Sequence, residues 1–195
     1  MRTFLFSLFI GIALFSPLGA SAIFIGETAN FSIDEERDLL LRDTIAATLV
    51  KIGPEAYYYM ETTVWNALSQ VQQSDVVLAV DVLDREFHSV MYPTLTDFFG
   101  SEWNPGIDND SRITVLLHRM KGENGGYVNV GDEYEKVQYP NSNQREMVYL
   151  NTERLGTPII KSFLAHEFVH LITFNQKERL KGVTEDFWLN ELRAE

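Results

Sequence analysis

The stretch Lys161–Glu195 reads KSFLAHEFVHLITFNQKERLKGVTEDFWLNELRAE and contains the pattern H-E-x-x-H at His166, Glu167 and His170. An α-helix turns about 100° per residue, so side chains four positions apart share one face, about 6 Å apart along the axis. His166 and His170 are therefore predicted to hold one metal ion, and Glu167 is predicted to act on a water bound to it. Two imidazoles and a carboxylate suit zinc.

If the third protein ligand lies downstream of His170, it is predicted to be a carboxylate. His170 is the last histidine and the chain has no cysteine. The acidic residues downstream that we considered are Glu178, Glu185, Asp186, Glu191 and Glu195. We predict Glu191, because it lies about two turns into a helix that Thr184 caps, after a preceding helix stops at Gly182. Glu185 and Asp186 then occupy the favourable first turn.

Glu195 is assigned a supporting role. It lies four residues beyond Glu191 and is predicted to share its helix face. Its carboxylate is predicted to accept the second ring N–H of a ligand histidine, which fixes the tautomer and orients the ring.

The run Trp188-Leu189-Asn190-Glu191 downstream of H-E-x-x-H resembles the gluzincin metallopeptidases, which include the thermolysin-like enzymes. Within that group the likeness is to secreted neutral zinc peptidases of the hyicolysin type. It extends, less specifically, to FFG at 98–100, RITVLL at 112–117 and REMVYL at 145–150. The resemblance covers about half of the chain.

The resemblance implies an α+β fold: a helix-rich, zincin-like domain with a small mixed sheet and an active-site helix. It implies one catalytic zinc on His166, His170 and Glu191, with Glu167 as general base in the hydrolysis of peptides or proteins. In zincin folds a strand near the site pairs with the extended substrate. The segment Ile113–His118 is predicted to be that edge strand, with Ile113, Val115 and Leu117 in substrate binding.

Other functions fit the same motif. A secreted zinc-binding or surface-interaction module without turnover would also bind the metal, and H-E-x-x-H occurs on ordinary helices. An aminopeptidase is a third alternative, although no G-x-M-E-N-type segment is present. The sequence ends at Glu195, only four residues after the proposed ligand Glu191. The catalytic domain is therefore predicted to be truncated at its C-terminus.

Residues 1–22 are predicted to be a cleaved secretory signal, which places the protein outside the cytoplasm. Arg2 precedes an apolar run, and Ala20-Ser21-Ala22 is a small-residue cleavage site. The apolar run is shorter than a membrane-spanning helix requires, so no stable membrane insertion is expected. Without residues 1–22, 15 basic and 28 acidic residues give a net charge of −13, which disfavours nucleic acid as a partner.

The remaining chain is divided into a helical segment at 23–73, where a propeptide would lie, and a catalytic domain at 74–195. A capping box at Ser32–Glu35 predicts a helix to Lys51, and further helices are predicted at 54–73 and 74–99. The run Tyr57-Tyr58-Tyr59 is expected to be core, with a binding platform as the alternative.

Two loops and two ordered segments complete the prediction. Asp108 and Asp110 lie in a turn-rich loop, where a calcium site is the alternative to ordinary turn chemistry. The segment 122–139 is predicted to be a solvated loop, with a flap over the cleft as the alternative. A strand is predicted at 146–151, and Thr157-Pro158 predicts the start of the metal-binding helix.

Overall fold

The computed structural model describes residues 23–122, 124–184 and 186–195. The predicted signal at 1–22 and the first-turn position of Glu185 lie outside the described residues. The strands are β1 (Thr28–Ser32), β2 (Thr44–Ile52), β3 (Ala56–Glu61), β4 (Ile113–His118), β5 (Gly126–Tyr127) and β6 (Met147–Asn151). The α-helices are α1 (Thr62–Ala67), α2 (Gln70–Glu86), α3 (Tyr92–Phe99), α4 (Ile159–Thr173) and α5 (Phe187–Ala194).

The six strands form one mixed sheet in the order β1-β2-β3-β4-β6-β5. Strands β3, β4 and β6 run parallel to one another, while β1, β2 and β5 pair antiparallel with their neighbours. The predicted α+β class with a mixed sheet is confirmed. Strands β1–β3 belong to residues 23–73, so that segment and the following residues share one sheet.

The two faces of the sheet bury different sets of side chains. One face packs against α2, α3 and α4, and strand residues such as Tyr58, Val115 and Leu150 meet helix residues such as Phe87 and Phe168 there. The opposite face buries a second cluster that includes Phe31, Tyr59 and Tyr149. The central strands are apolar on both sides because both of their faces are covered.

The helix predicted at 32–51 is wrong. The capping box does not form: the Asp34 carboxylate instead accepts a hydrogen bond from the backbone N–H of Glu36 in a turn. The chain then enters β2, where Ile45, Ala47 and Leu49 alternate toward one face. Alternation with a period of two and β-branched residues favour a strand, and pairing with β1 and β3 decides the matter.

The helix predicted at 54–73 is also wrong over its first half. Residues 56–61 form β3, whose six side chains are all buried. The three tyrosines at 57–59 lie in this strand, so they serve the core as predicted, but on a sheet rather than a helix. Tyrosine favours strands, and a central strand accepts large side chains on both faces.

The helical region predicted at 74–99 is confirmed, with an earlier start. Its N-cap is Ser69, which forms a capping box with Gln72, whereas Ser74 lies inside α2. A π-helical turn at Phe87–Met91 joins α2 to α3, and Pro93 lies in the first turn of α3. Proline has no N–H to donate to the preceding turn, and the π-helical turn directly before it already departs from the regular α-helical hydrogen-bond pattern.

The prediction that Ile113–His118 is an edge strand is wrong. The strand exists, but β4 is hydrogen-bonded to β3 on one side and to β6 on the other. Ile113, Val115 and Leu117 are fully buried. Their backbone groups are already paired, so a peptide cannot add beside them as a further strand.

The structure also tests the predictions for the loop at Asp108 and Asp110 and for the segment 122–139. Asp108 accepts a hydrogen bond from the backbone of Asp110, and Asp110 accepts one from Tyr57 Oη at 2.7 Å. These are the bonds of a turn anchored to the sheet, and they give the calcium prediction no support. The solvated loop predicted at 122–139 is wrong at Asp132 and Glu133, which are buried.

Candidate metal centre

The helix α4 holds both histidines of the H-E-x-x-H pattern. It begins at Ile159, directly after the predicted Thr157-Pro158 start, although no side chain caps it. Leu164, Phe168 and Leu171 pack into the core and fix its rotation. His166 and His170 then lie together on a half-buried face, as the helical period requires.

His166, His170 and Glu191 offer ligand atoms that all lie within 4.8 Å of one another. The two Nε2 atoms are 3.1 Å apart. The Glu191 oxygens lie 3.4 Å from His166 Nε2 and 3.6 Å from His170 Nε2. Ligand atoms about 2.1 Å from a tetrahedral ion are about 3.4 Å from one another. The donor set and its spacing therefore fit zinc, and the predicted third ligand is placed beside the two histidines.

The helix α5 supplies both Glu191 and the residue that orients His170. It begins two residues later than predicted, with Asp186 rather than Thr184 at the N-cap. Asn190 Oδ1 lies 3.1 Å from His170 Nδ1. When Nδ1 carries the proton and donates it to Asn190, Nε2 is left with a lone pair for a metal.

Asn190, rather than Glu195, thus lies against the second ring nitrogen of His170. Glu195 is exposed at the end of α5, one turn beyond Glu191. Its role toward a ligand histidine stays a prediction. The rejected candidate Glu178 accepts a hydrogen bond from Tyr134 Oη, at 3.4 Å, and is not part of the metal group.

Burial changes the pKa values of two side chains at the site, Glu167 and His170. The side chain of Glu167 is only 6% exposed, and burial raises the pKa of its carboxyl to about 8, with the charge of Glu191 acting in the same direction and that of Arg37 opposing it. Burial also lowers the pKa of His170, which favours the neutral imidazole that binds metals. A bound dication would add positive charge beside Glu167 and favour its carboxylate form.

The metal group opens into a cleft of about 350 Å³. Its lining residues are Arg37, Gly126, Tyr127, Val128, Val130, His166, Glu167, His170, Asn190 and Glu191. The strand β5 lies at the edge of the described sheet and forms part of this wall. A segment assigned to a loop at 122–139 thus provides the edge strand that was expected at β4.

Two glycines let β5 approach α4. A Cβ on Gly125 would lie 2.2 Å from the Phe163 ring. A Cβ on Gly126 would lie 2.8 Å from the carbonyl oxygen of Tyr149 and 3.1 Å from Glu167 Cγ. Only glycine leaves room for the strand directly beside the helix and its glutamate.

Sequence reasoning missed three features of the cleft. Asn190 was quoted beside Glu191 but was given no role. Gly125-Gly126 lies in the segment predicted to be a solvated loop, although paired glycines also indicate close backbone approach. Arg37 carried no signal, because its segment was predicted to be helical.

Comparison with known proteins relates the chain to metalloproteases only distantly. No family model matches it. Over 129 residues it is 28% identical to Neutral metalloprotease ShpI of Staphylococcus hyicus, an alignment that covers 57% of this chain and 28% of that protein. The chain is distantly related to a metalloprotease. It thus spans less than a third of the length of this relative. Among the described residues, no helix combines the length and the apolar character that crossing a membrane requires.

Proposed function

We propose that this protein is an exported, zinc-dependent metallopeptidase that hydrolyses peptide bonds inside proteins or peptides. The observation that carries the proposal is the convergence of His166, His170 and Glu191 beside the buried Glu167. The distant similarity to a metalloprotease supports the same reaction class. On this proposal the chain has a zincin-like fold of the gluzincin type, related to the hyicolysin-type peptidases.

The proposed mechanism assigns a task to each side chain. Zinc held by His166, His170 and Glu191 would lower the pKa of a bound water and polarise the scissile carbonyl. Glu167 accepts a proton from the attacking water while the water oxygen bonds to the carbonyl carbon. As the carbon–nitrogen bond breaks, Glu167 passes that proton to the leaving amine nitrogen. Asn190 holds His170 in the tautomer that leaves Nε2 free.

The strand β5 replaces β4 as the proposed substrate-binding edge. Its inner side pairs with β6, and no other described strand lies along its outer side. Gly126, Tyr127 and Val128 also line the cleft. An extended substrate is therefore proposed to add as a further strand beside β5, which would bring its scissile bond to Glu167.

The decisive experiment compares the full-length gene product with its Glu167→Gln variant. We expect about one zinc per chain in both proteins, and cleavage of a quenched peptide library by the wild type alone. A chelator should abolish the wild-type cleavage. Glu178→Gln is the matched control, since Glu178 lies outside the cleft lining, and it should retain activity. Zinc binding without any turnover would instead indicate the non-catalytic binding module.

Ligand substitutions test the metal centre separately. Glu191→Ala and His170→Ala should each reduce the zinc content strongly, because two ligands hold the ion far less tightly than three. His88→Ala is the control, since His88 is exposed and pairs with Glu55. Unchanged zinc in Glu191→Ala would remove that residue from the metal centre.

A further inference from the structure

Arg37 is the only lysine or arginine among the described residues that line the cleft. It comes from the β1–β2 connection, far from the metal-binding helix in sequence. The other ionisable groups of the lining are the carboxyl groups of Glu167 and Glu191, the two histidines and the Tyr127 hydroxyl. The protein as a whole carries an excess of acidic residues. Besides the proposed zinc, Arg37 is thus the positive charge of the described lining that would attract an anionic part of a substrate.

The backbone of Arg37 is held in place. Its N–H donates to the carbonyl of Asp34 at 3.1 Å, and its carbonyl accepts from Lys121 N–H at 2.8 Å. The next residue, Asp38, is buried and forms an ion pair with Arg42, with Nη2 2.7 Å from Oδ1. The turn that carries Arg37 is thus anchored to the sheet.

Neighbouring side chains hold the Arg37 guanidinium group in place and leave part of it available to bind a ligand. Nε lies 3.3 Å from Asp34 Oδ2, and the central carbon lies 5.1 Å from the centre of the Tyr127 ring. Tyr127 belongs to β5, so the charge is held beside the proposed substrate-binding edge. Among the described residues, no hydrogen-bond partner is found for the two terminal nitrogens, and the side chain is 44% exposed. These two nitrogens form the fork that binds a carboxylate through two hydrogen bonds.

We infer that Arg37 binds a carboxylate of the substrate and gives the cleft a preference for acidic peptides. The inference rests on the proposed function, since it names the substrate class of the same site. Two sources offer this chemistry: the side chain of an aspartate or glutamate, and the free C-terminus of a short peptide. Arg37 is a specificity-determining residue on this account, and the proton transfers belong to Glu167.

The test uses three peptides with the same core sequence: one neutral and amidated, one amidated with a glutamate near the scissile bond, and one neutral with a free C-terminus. We expect the wild type to prefer one of the two anionic peptides, which identifies the source of the carboxylate. In Arg37→Gln the kcat/KM for that peptide should fall about tenfold or more, mainly through KM, as expected for losing a hydrogen bond between charged groups. The amidated neutral peptide should lose much less, because it has no carboxylate for Arg37 and is affected only through the charge of Arg37 acting on Glu167.

Two further variants separate charge from structure. Arg37→Lys keeps the charge without the fork and should retain part of the preference. Arg85→Gln removes an exposed arginine at the end of α2, outside the cleft, and should change nothing. Equal losses for all three peptides in Arg37→Gln, or no loss in any, would overturn the inference.

A binding experiment keeps this inference separate from the proposed reaction. The affinity of the same peptides is measured for zinc-loaded Glu167→Gln and for Glu167→Gln combined with Arg37→Gln. Tighter binding of an anionic peptide that depends on Arg37 and weakens with salt supports the inference even if the wild type cleaves nothing. Equal affinity of all three peptides for the protein with Arg37 would contradict it, even if the wild type proves to be a peptidase.

Discussion

Two buried carboxyl groups outside the cleft, on Glu133 and Glu146, lie close enough to repel each other when both are charged. Each side chain is at most 2% exposed, and neither oxygen of Glu133 has a hydrogen-bond partner among the described residues. Burial raises the pKa of Glu133 well above its usual range, and the charge of Glu146 acts in the same direction. Buried carboxyl groups without a paired cation are expected to hold protons at neutral pH.

Glu146→Gln should therefore stabilise the protein above pH 7. Burial raises the pKa of Glu146 from 4.5 to about 7, so the folded state keeps a proton that the unfolded state has released. The free energy of unfolding consequently falls as pH rises from about 4.5 to about 7 and stays low above that, by a contribution on the order of 3 kcal/mol. The glutamine variant lacks this contribution, which urea unfolding at pH 5 and pH 8 would measure.

The exposed Glu153 provides the control for this comparison. Glu153→Gln should follow the wild-type pH dependence. If Glu146→Gln were less stable than the wild type at pH 8, and added calcium stabilised the wild type alone, Glu133 and Glu146 would be charged ligands of a cation rather than protonated acids.

Asn190 provides a second prediction at the scale of one residue. Asn190→Ala removes the acceptor for His170 Nδ1, and losing such an outer partner weakens metal binding by about 10–100-fold. Zinc affinity measured by competition with a chromogenic chelator would show the change. Glu195→Gln is the companion variant: a loss as large as that of Asn190→Ala would mean that Glu195 does orient a ligand histidine, as its sequence position suggests.

At the scale of elements, the close approach of β5 to α4 determines the shape of the cleft. Gly126→Val should reduce both the free energy of unfolding and the zinc affinity, because its side chain would collide with the Tyr149 carbonyl and displace Glu167. Val128→Ala, two residues along the same wall, should affect both far less. Thermal unfolding and zinc titration of the two variants would test this. A Gly126→Val protein that matches Val128→Ala would show that β5 moves away from the helix at little cost.

The elements also show where sequence patterns sufficed. Strands were predicted at 113–118 and 146–151 because short apolar runs bounded by turns indicate buried strands. The structure has them at Ile113–His118 and Met147–Asn151. The strands β2 and β3 were mistaken for helices, since local capping signals and apolar spacing at 32–51 and 54–73 fit a helix equally well. Pairing with neighbouring strands overrode those local signals, and pairing is not visible in a single segment.

At the scale of the whole molecule, β1–β3 make up half of the six-stranded sheet. Buried residues of β3 contact both faces of the core, and Glu61 at its end binds Arg42 with Nη1 2.7 Å from Oε1. The alternative that residues 23–73 form a removable propeptide therefore has a physical cost. Removing them would expose one long edge of β4 and both apolar clusters to water.

A chain that starts at residue 74 should fail to fold cooperatively. We expect it to be insoluble or to unfold without a sharp thermal transition. A chain that starts at residue 26 lacks the exposed residues 23–25, which precede β1, and should unfold like one that starts at residue 23. Circular dichroism during heating would distinguish them. A folded, zinc-binding protein from residue 74 onward would restore the two-part division that the sequence suggests.

The sequence by itself determined which residues are proposed to hold the metal. The spacing of His166 and His170 fixes their common face on any helix, and the lack of a later histidine or cysteine leaves a carboxylate as the downstream ligand. These conclusions depend on local geometry and on residue identity. Only the tertiary structure decided three further features. Asn190 lies against His170, the sheet edge at the cleft is β5 instead of β4, and Arg37 lines the cleft. They depend on contacts between segments distant in the chain, and the free energy of strand pairing and core packing, rather than any local pattern, selects those contacts.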